Sequence, residues 1–386
     1  MKPAAREAAA IEILDRWREG RAVEAALTAW GRASRFAGSG DREAVRDLVF
    51  GAVRRFRSAA ALGGGSTGRA LLLGLARAEG RLPEGWTGEG HAPVPLTMAE
   101  AALMEAPLPR LTRGEALDCP DWLLPAFDAA LGQDADPVLA LMRDRAPVFL
   151  RVNRGRASRG AVIAELAEAG IEARTHPLAE TALEVTAGAR KLRTSAALAE
   201  GRVELQDAAS QAVALDFAAV ASGPVLDYCA GGGGKALALA AEGFAVTAHD
   251  AEPRRMGDLP VRAGRAGARI EVLAGEASGL WPAVLADAPC SGSGSWRRAP
   301  EAKWAFTPER LVALNAVQTQ ILEACAALTA PGGVLGYATC SMLRAENEDR
   351  IAAFLAAQPG WRLMAERRLT PLDGGDGFYL ALLRRE

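Results

Sequence analysis

Lysine is almost missing from this 386-residue chain: only Lys2, Lys191, Lys235 and Lys303 occur among 45 basic residues, the rest being arginine. A lysine inside a motif is therefore informative. Histidine is as scarce, with His91, His176 and His249 alone, and no Cys-x-x-C pair exists. Tetrahedral zinc sites are built from such clusters, so no metal is expected. The five cysteines form no framework spacing and leave one over if the rest pair, which predicts free thiols in a reducing, cytoplasmic setting. No apolar run is read as reaching the roughly 18 residues that cross a bilayer, and no membrane partner is expected. An excess of one charge is lacking too: the net charge is −2. Any nucleic-acid surface must be local, and nothing in the balance calls for an obligate partner, so a monomer is expected.

What is present is enough apolar residue, half the chain, for two or three packed domains. Residues 4–62 read as helices, with Ile11, Leu14 and Trp17, then Val45, Leu48, Val49 and Val53, recurring at three and four. Seven arginines, Arg32, Arg35, Arg42, Arg46, Arg54, Arg55 and Arg57, face only Asp41, Glu43 and Asp47 in that stretch. They are either a solvated, salt-bridged face or a phosphate-binding one. Gly63 to Gly65 and residues 80–95 read as loops. The helical domain is expected over 1–140. A small α/β, RRM-like module is expected over 141–215, with a strand at Val148 to Val152 and a helix over Ser158 to Ala169. From 216 to 386, strand-like runs such as Val225-Leu226-Asp227, Val284-Leu285-Ala286 and Val334 to Ala338 alternate with helical ones. That predicts an α/β, Rossmann-like domain with a mainly parallel sheet and ligands at the carboxyl ends of its strands.

The strand ending at Asp227 runs into Tyr228-Cys229-Ala230-Gly231-Gly232-Gly233-Gly234-Lys235 and then a helix. Glycines there let backbone approach a ligand at a helix N-terminus. The next strand ends in His249-Asp250, an acid suited to the ribose hydroxyls of an adenosine cofactor. The loop also fits G-x-G-x-x-A, so a nicotinamide dehydrogenase competes, as does a glycine turn with no ligand.

Two later strand ends carry cysteine, in Asp287-Ala288-Pro289-Cys290-Ser291-Gly292-Ser293-Gly294 and Thr339-Cys340-Ser341. A lone cysteine is usually a small buried hydrophobe, and Cys325 in a helical run fits that. Two at neighbouring strand ends point to chemistry. A thiolate that adds to carbon 6 of a pyrimidine saturates the 5,6 bond and makes carbon 5 nucleophilic toward a methyl donor. Asp287 could act at ring nitrogen 3. Lys235 could lower a thiol pKa or contact the base.

Together with Arg297 to Trp304, Tyr337-Ala338-Thr339-Cys340-Ser341 and Glu346-Asn347, these motifs resemble the Sun/Nop family of RNA cytosine-5 methyltransferases. The similarity extends upstream through Val203 to Ser210 and Leu150 to Asn153, and downstream to Gly375-Asp376-Gly377-Phe378-Tyr379. The first 140 residues resemble, more weakly, the NusB-like RNA-binding domain of bacterial members that modify small-subunit ribosomal RNA. The resemblance implies a class I methyltransferase with a seven-stranded sheet, Cys340 as nucleophile and Cys290 promoting release. It implies S-adenosylmethionine among Cys229, Ala230, Gly231, Gly232, Gly233, Gly234, Lys235, Asp250, Glu276 and Asp287, and an RNA substrate, with ribosomal RNA expected and transfer RNA as the alternative. The chain departs from the family at Gly231-Gly232, where the usual residues are Ala-Pro, and at Glu276, where aspartate is usual. A DNA cytosine-5 methyltransferase using a Pro-Cys nucleophile, and an RNA-binding assembly factor with a decayed cofactor loop, are the other readings.

Overall fold

The computed structural model describes residues 1–386 and divides into two compact units. One comprises Met1–Asp128, Gly132–Arg145 and Trp296–Ala305; the other comprises Ala129–Leu131, Ala146–Ser295 and Phe306–Glu386.

The first unit is helical. Helices Pro3–Arg18, Val23–Ala33, Ser39–Arg54, Phe56–Gly63 and Gly68–Ala78 bury Ile13, Leu14, Trp17, Val45, Val49, Val53 and Leu71 in one core, as the three-and-four spacing predicts. The short segment 296–305 packs here: the Glu301 carboxylate accepts from the Val23 N–H at 3.0 Å, capping an orphan donor at a helix start. Lys303 is buried with its ammonium on the Asp118 carbonyl at 2.5 Å. Most of the seven arginines are spent inside the unit, as the salt-bridged reading of that stretch expects. Arg42 bonds the Ala37 carbonyl, Arg46 Glu24, Arg54 the Arg297 carbonyl, Arg55 Asp144 and Arg57 Asp121. A guanidinium already satisfied by a carboxylate has less to offer a phosphate.

The second unit holds two sheets. The smaller is built by β1 (Val148–Val152), helix Arg159–Glu168, β2 (Glu172–Thr175), β3 (Ala182–Ala187), helix Ala196–Ala199 and β4 (Val203–Leu205). It is antiparallel, in the order β2-β3-β1-β4. The larger comprises β5 (Val225–Asp227), β6 (Val246–Ala248), β7 (Ile270–Val272), β8 (Trp281–Asp287), β9 (Thr329–Thr339), β10 (Trp361–Leu369) and β11 (Phe378–Arg385). Its order is β10-β11-β9-β8-β5-β6-β7. β7 through β9 are parallel and β11 and β10 antiparallel.

Both faces of this sheet are covered, which is why its strands read as continuous apolar runs. Val225, Ala283, Leu285 and Ala338 join one core with Val213 and Phe217 of helix Ala208–Ala218. Leu226, Val284, Ala286 and Tyr337 join the other with Leu322 and Cys325 of helix Pro308–Leu328. That helix corrects one expectation, because its 21 residues are long and apolar enough to cross a membrane. Here its apolar stripe covers the sheet.

Candidate functional site

β5 stops at Asp227, and helix Gly234–Ala241 starts seven residues later with the glycine turn between. Gly231 and Gly233 have φ of +54° and +77°. A Cβ on Gly233 would lie 2.3 Å from Leu259 Cδ1, so a side chain there would have to displace Leu259 at a φ that favours glycine. The turn is tied down: the Gly233 N–H donates to the Ala230 carbonyl at 2.7 Å and the Ala230 N–H to the His249 carbonyl at 2.9 Å. Asp250, just past β6, accepts from the Gly231 N–H at 2.8 Å and the Glu252 N–H at 2.9 Å, with Arg255 Nη1 at 3.1 Å. A carboxylate offers about four lone-pair sites, so it retains acceptor capacity for hydroxyls. The His249 ring stacks on Tyr228 at 4.7 Å.

Asp227 is fully buried, and its two oxygens lack a hydrogen-bond partner of normal geometry. Burial, reinforced by the Asp287 charge, raises its pKa to about 7 despite Lys235. A buried carboxylate with only a weak contact from the Ala236 N–H, beneath a glycine turn, suits a cationic group of a ligand, such as the ammonium of an amino acid. Burial, with Asp227 beside it, pushes the Cys229 thiol far above the ordinary range, so its sulfur stays protonated. Glu276 is exposed in the segment after β7, near the Tyr228 hydroxyl.

Register brings the reacting groups together. β8 and β9 are parallel neighbours with Asp287 opposite Ala338, so the turns that follow them emerge side by side. The Cys290 and Cys340 sulfurs lie 3.4 Å apart. Lys235, buried, sets its ammonium 2.6 Å from Asp287 Oδ2 and 4.8 Å from the Phe378 ring centroid. The hydrogen bond with Cys290 lowers the Cys340 pKa, helped by Lys235 and the Ser295 hydroxyl and opposed by burial and Asp287. The same bond, with burial, raises the Cys290 thiol. The pair is divided into a more acidic thiol, Cys340, and a proton-holding one, Cys290.

A buried carboxylate holds both cysteine turns, and motif reading assigned it no role. Glu346 accepts from the Ser291 N–H at 2.7 Å, the Ser291 hydroxyl at 2.5 Å, the Ser341 hydroxyl, and the Gln318 amide at 3.1 Å. Gln318 also donates to the Pro289 carbonyl at 3.0 Å, and Asn347 Nδ2 to the Ser341 carbonyl at 2.9 Å. Gly294 abuts Gly377, where an added Cβ would fall 2.1 Å from the Gly377 carbonyl oxygen. An acid soon after Cys340-Ser341 was a signal for Glu346; nothing local marks Gln318.

A profile of the family 16S rRNA methyltransferase RsmB/F matches residues 214–384, and one of the ferredoxin-like domain of RsmF/B-like methyltransferases matches residues 119–190. Ribosomal RNA small subunit methyltransferase B of Xylella fastidiosa (strain 9a5c) is 33% identical over 291 residues, 69% of this chain and 68% of that protein. The chain belongs to the RsmB/F family. The enzyme of the same name from Klebsiella pneumoniae subsp. pneumoniae is 34% identical over 284 residues, 68% of this chain, which spans 65% of that relative's length. Among solved structures, the family member's fold is shared with PH0851 (TM-score 0.79, 21% identity, covering 100% of this chain and 99% of that one). It is shared also with NSun6 from Pyrococcus horikoshii (TM-score 0.61, 17% identity, 70% and 99%). At these identities the likeness is one of fold. The seven-stranded sheet expected from the family motifs is present.

Proposed function

We propose that this protein transfers a methyl group from S-adenosylmethionine to carbon 5 of a cytosine in RNA, with small-subunit ribosomal RNA as substrate and Cys340 as nucleophile. The observation that carries the reading is the Cys290–Cys340 pair at 3.4 Å, set between two parallel strand ends beside the Lys235–Asp287 pair. Family membership supports the RNA class. We read 1–140 as a NusB-like RNA-binding part, 141–215 as the small module and 216–386 as the methyltransferase.

The residues fit the cofactor. Asp227 would take the amino-acid ammonium and Asp250 the ribose hydroxyls. The turn from Cys229 to Gly234 would pass closest, with Lys235 and Asp287 beneath and Glu276 at the open side. Bound there, S-adenosylmethionine supplies an electrophilic methyl group. Cys340, as thiolate, forms a sulfur–carbon bond at carbon 6 and sends the electrons of the 5,6 double bond toward carbon 5 and ring nitrogen 3. Asp287, held by the Lys235 ammonium, would share a proton with the base and so stabilise the charge at nitrogen 3. Once carbon 5 is methylated, a base takes the carbon 5 proton, the electrons of that bond re-form the 5,6 double bond and Cys340 is expelled as thiolate, with Cys290 beside it to assist the release. The target base must leave any stack to reach Cys340.

The test is methyl transfer from labelled S-adenosylmethionine to small-subunit ribosomal RNA, with transfer RNA and duplex DNA in parallel, followed by bisulfite mapping. The expected result is 5-methylcytosine in ribosomal RNA. Label on another atom, or only on transfer RNA or DNA, would refute the corresponding part of the reading.

A further inference from the structure

The turn Gly231-Gly232 has no side chain to stiffen it, and two consecutive glycines lose more backbone freedom on ordering than any other pair. The structure shows what restrains it instead. Arg262, on helix Leu259–Ala266, donates Nη1 to the Gly232 carbonyl. The same guanidinium reaches back to Glu204 of β4, with Nη2 at 3.0 Å and Nε at 3.3 Å from Oε2. Arg265 takes the other Glu204 oxygen. Glu204 is buried, so its orientation is fixed by both arginines and by its place in the β1–β4 ladder opposite Arg151. Leu259, one helical turn before Arg262, packs where a Gly233 side chain would go. The small antiparallel sheet is thereby linked through one arginine to a carbonyl of the candidate cofactor turn.

We propose that Arg262, aimed by Glu204, is a positioning residue for the Gly231-Gly232 turn, so that the small module contributes to cofactor affinity without touching the cofactor. The inference rests on the cofactor reading above. Binding must freeze the turn, and the Arg262 bond has already removed part of that freedom. Losing the bond returns the cost to the binding step.

Gly232 offers an independent check. Its φ is not positive, and a Cβ there meets only Arg262 Nη1, at 3.5 Å. Alanine therefore fits and restricts the chain by itself. In full-length protein, calorimetry with S-adenosylhomocysteine should show Arg262→Ala binding about ten-fold more weakly, or about 1.4 kcal/mol. Glu204→Gln should move in the same direction by less. Gly232→Ala should recover about three-fold or more of the loss in the Arg262→Ala background. Amide hydrogen exchange of residues 229–235 in the ligand-free protein should speed up in Arg262→Ala and slow again in the double variant, while circular dichroism stays unchanged.

No binding by the wild-type chain would refute the cofactor reading, and this inference with it. Wild-type binding with unaltered affinity and exchange in Arg262→Ala would overturn this inference alone. So would a loss that Gly232→Ala does not relieve.

Discussion

Cys340 and Cys290, 50 residues apart in sequence, face each other at 3.4 Å because Asp287 and Ala338 are register partners on adjacent parallel strands. Parallel strands deliver their following turns to the same edge of the sheet, so two short turns suffice to bring the sulfurs into contact.

That contact predicts a dependence of one thiol on the other. The rate of Cys340 alkylation should rise with an inflection below the ordinary thiol value, and Cys290→Ala should move the inflection upward by removing the hydrogen bond. Mass spectrometry of the Cys340 peptide across a pH series measures it; an unmoved inflection would show that Lys235 and Ser295 set the acidity alone. In turnover, Cys340→Ala should cost about 10³-fold or more. Cys290→Ala should accumulate RNA covalently bound to protein, visible on a denaturing gel.

Asp227 predicts a pH dependence of stability. Between pH 3.8 and about 7 the folded chain keeps a proton on Asp227 that the unfolded chain has released. Its contribution to stability is therefore full below that window and lost as pH rises through it. Thermal melts of wild type against Asp227→Asn should diverge as pH rises from 4 to 8, with the variant gaining. Parallel curves would mean the carboxylate is not desolvated in solution.

Glu346 predicts a large effect from a residue outside the reacting set. Glu346→Ala would remove the acceptor of the Ser291 N–H and one acceptor each of the Gln318 amide and the Ser341 hydroxyl, which keep the Pro289 carbonyl and Ser293. Unsatisfied buried groups cost about 1–3 kcal/mol each, so the variant should be destabilised by about 3 kcal/mol in urea. Glu346→Gln keeps one acceptor oxygen and should lose less stability while still lowering kcat. Equal stability of Glu346→Ala and wild type would remove Glu346 from the support of both cysteine turns.

Gly294→Ala should also act through position. A methyl group 2.1 Å from the Gly377 carbonyl must push apart the turn after Cys290 and the one before β11. Methyl transfer should fall by about ten-fold or more while cofactor affinity measured by calorimetry is held. Full activity would mean the two turns separate without moving Cys290.

The parallel core was legible because burial on both faces writes itself as apolar runs: Val225 to Asp227, Val284 to Ala286 and Val334 to Ala338 all fall in strands. β10 was not read, since one of its faces is largely exposed and Arg362, Glu366 and Arg367 interrupt its pattern. The arginine stretch in the first unit left a salt-bridged and a phosphate-binding reading both open for the opposite reason. Its carboxylate partners, Glu24, Asp121 and Asp144, lie outside residues 32–57.

The candidate site divides the same way. Sequence alone determined which reactive groups are present: two cysteines after strands, an acid beside each candidate ligand turn, and Lys235 made conspicuous by the scarcity of lysine. These are local signals, because a strand end followed by a tight turn needs particular neighbours in the chain. Only tertiary structure decided that Lys235 pairs with Asp287, that Glu346 and Gln318 hold both cysteine turns, and that Glu204 reaches the glycine turn through Arg262. Those partners are 28 to 58 residues apart where the sheet and helices bring them together. Hydrogen bonds of about 3 Å depend on register and helix placement, which local composition does not encode.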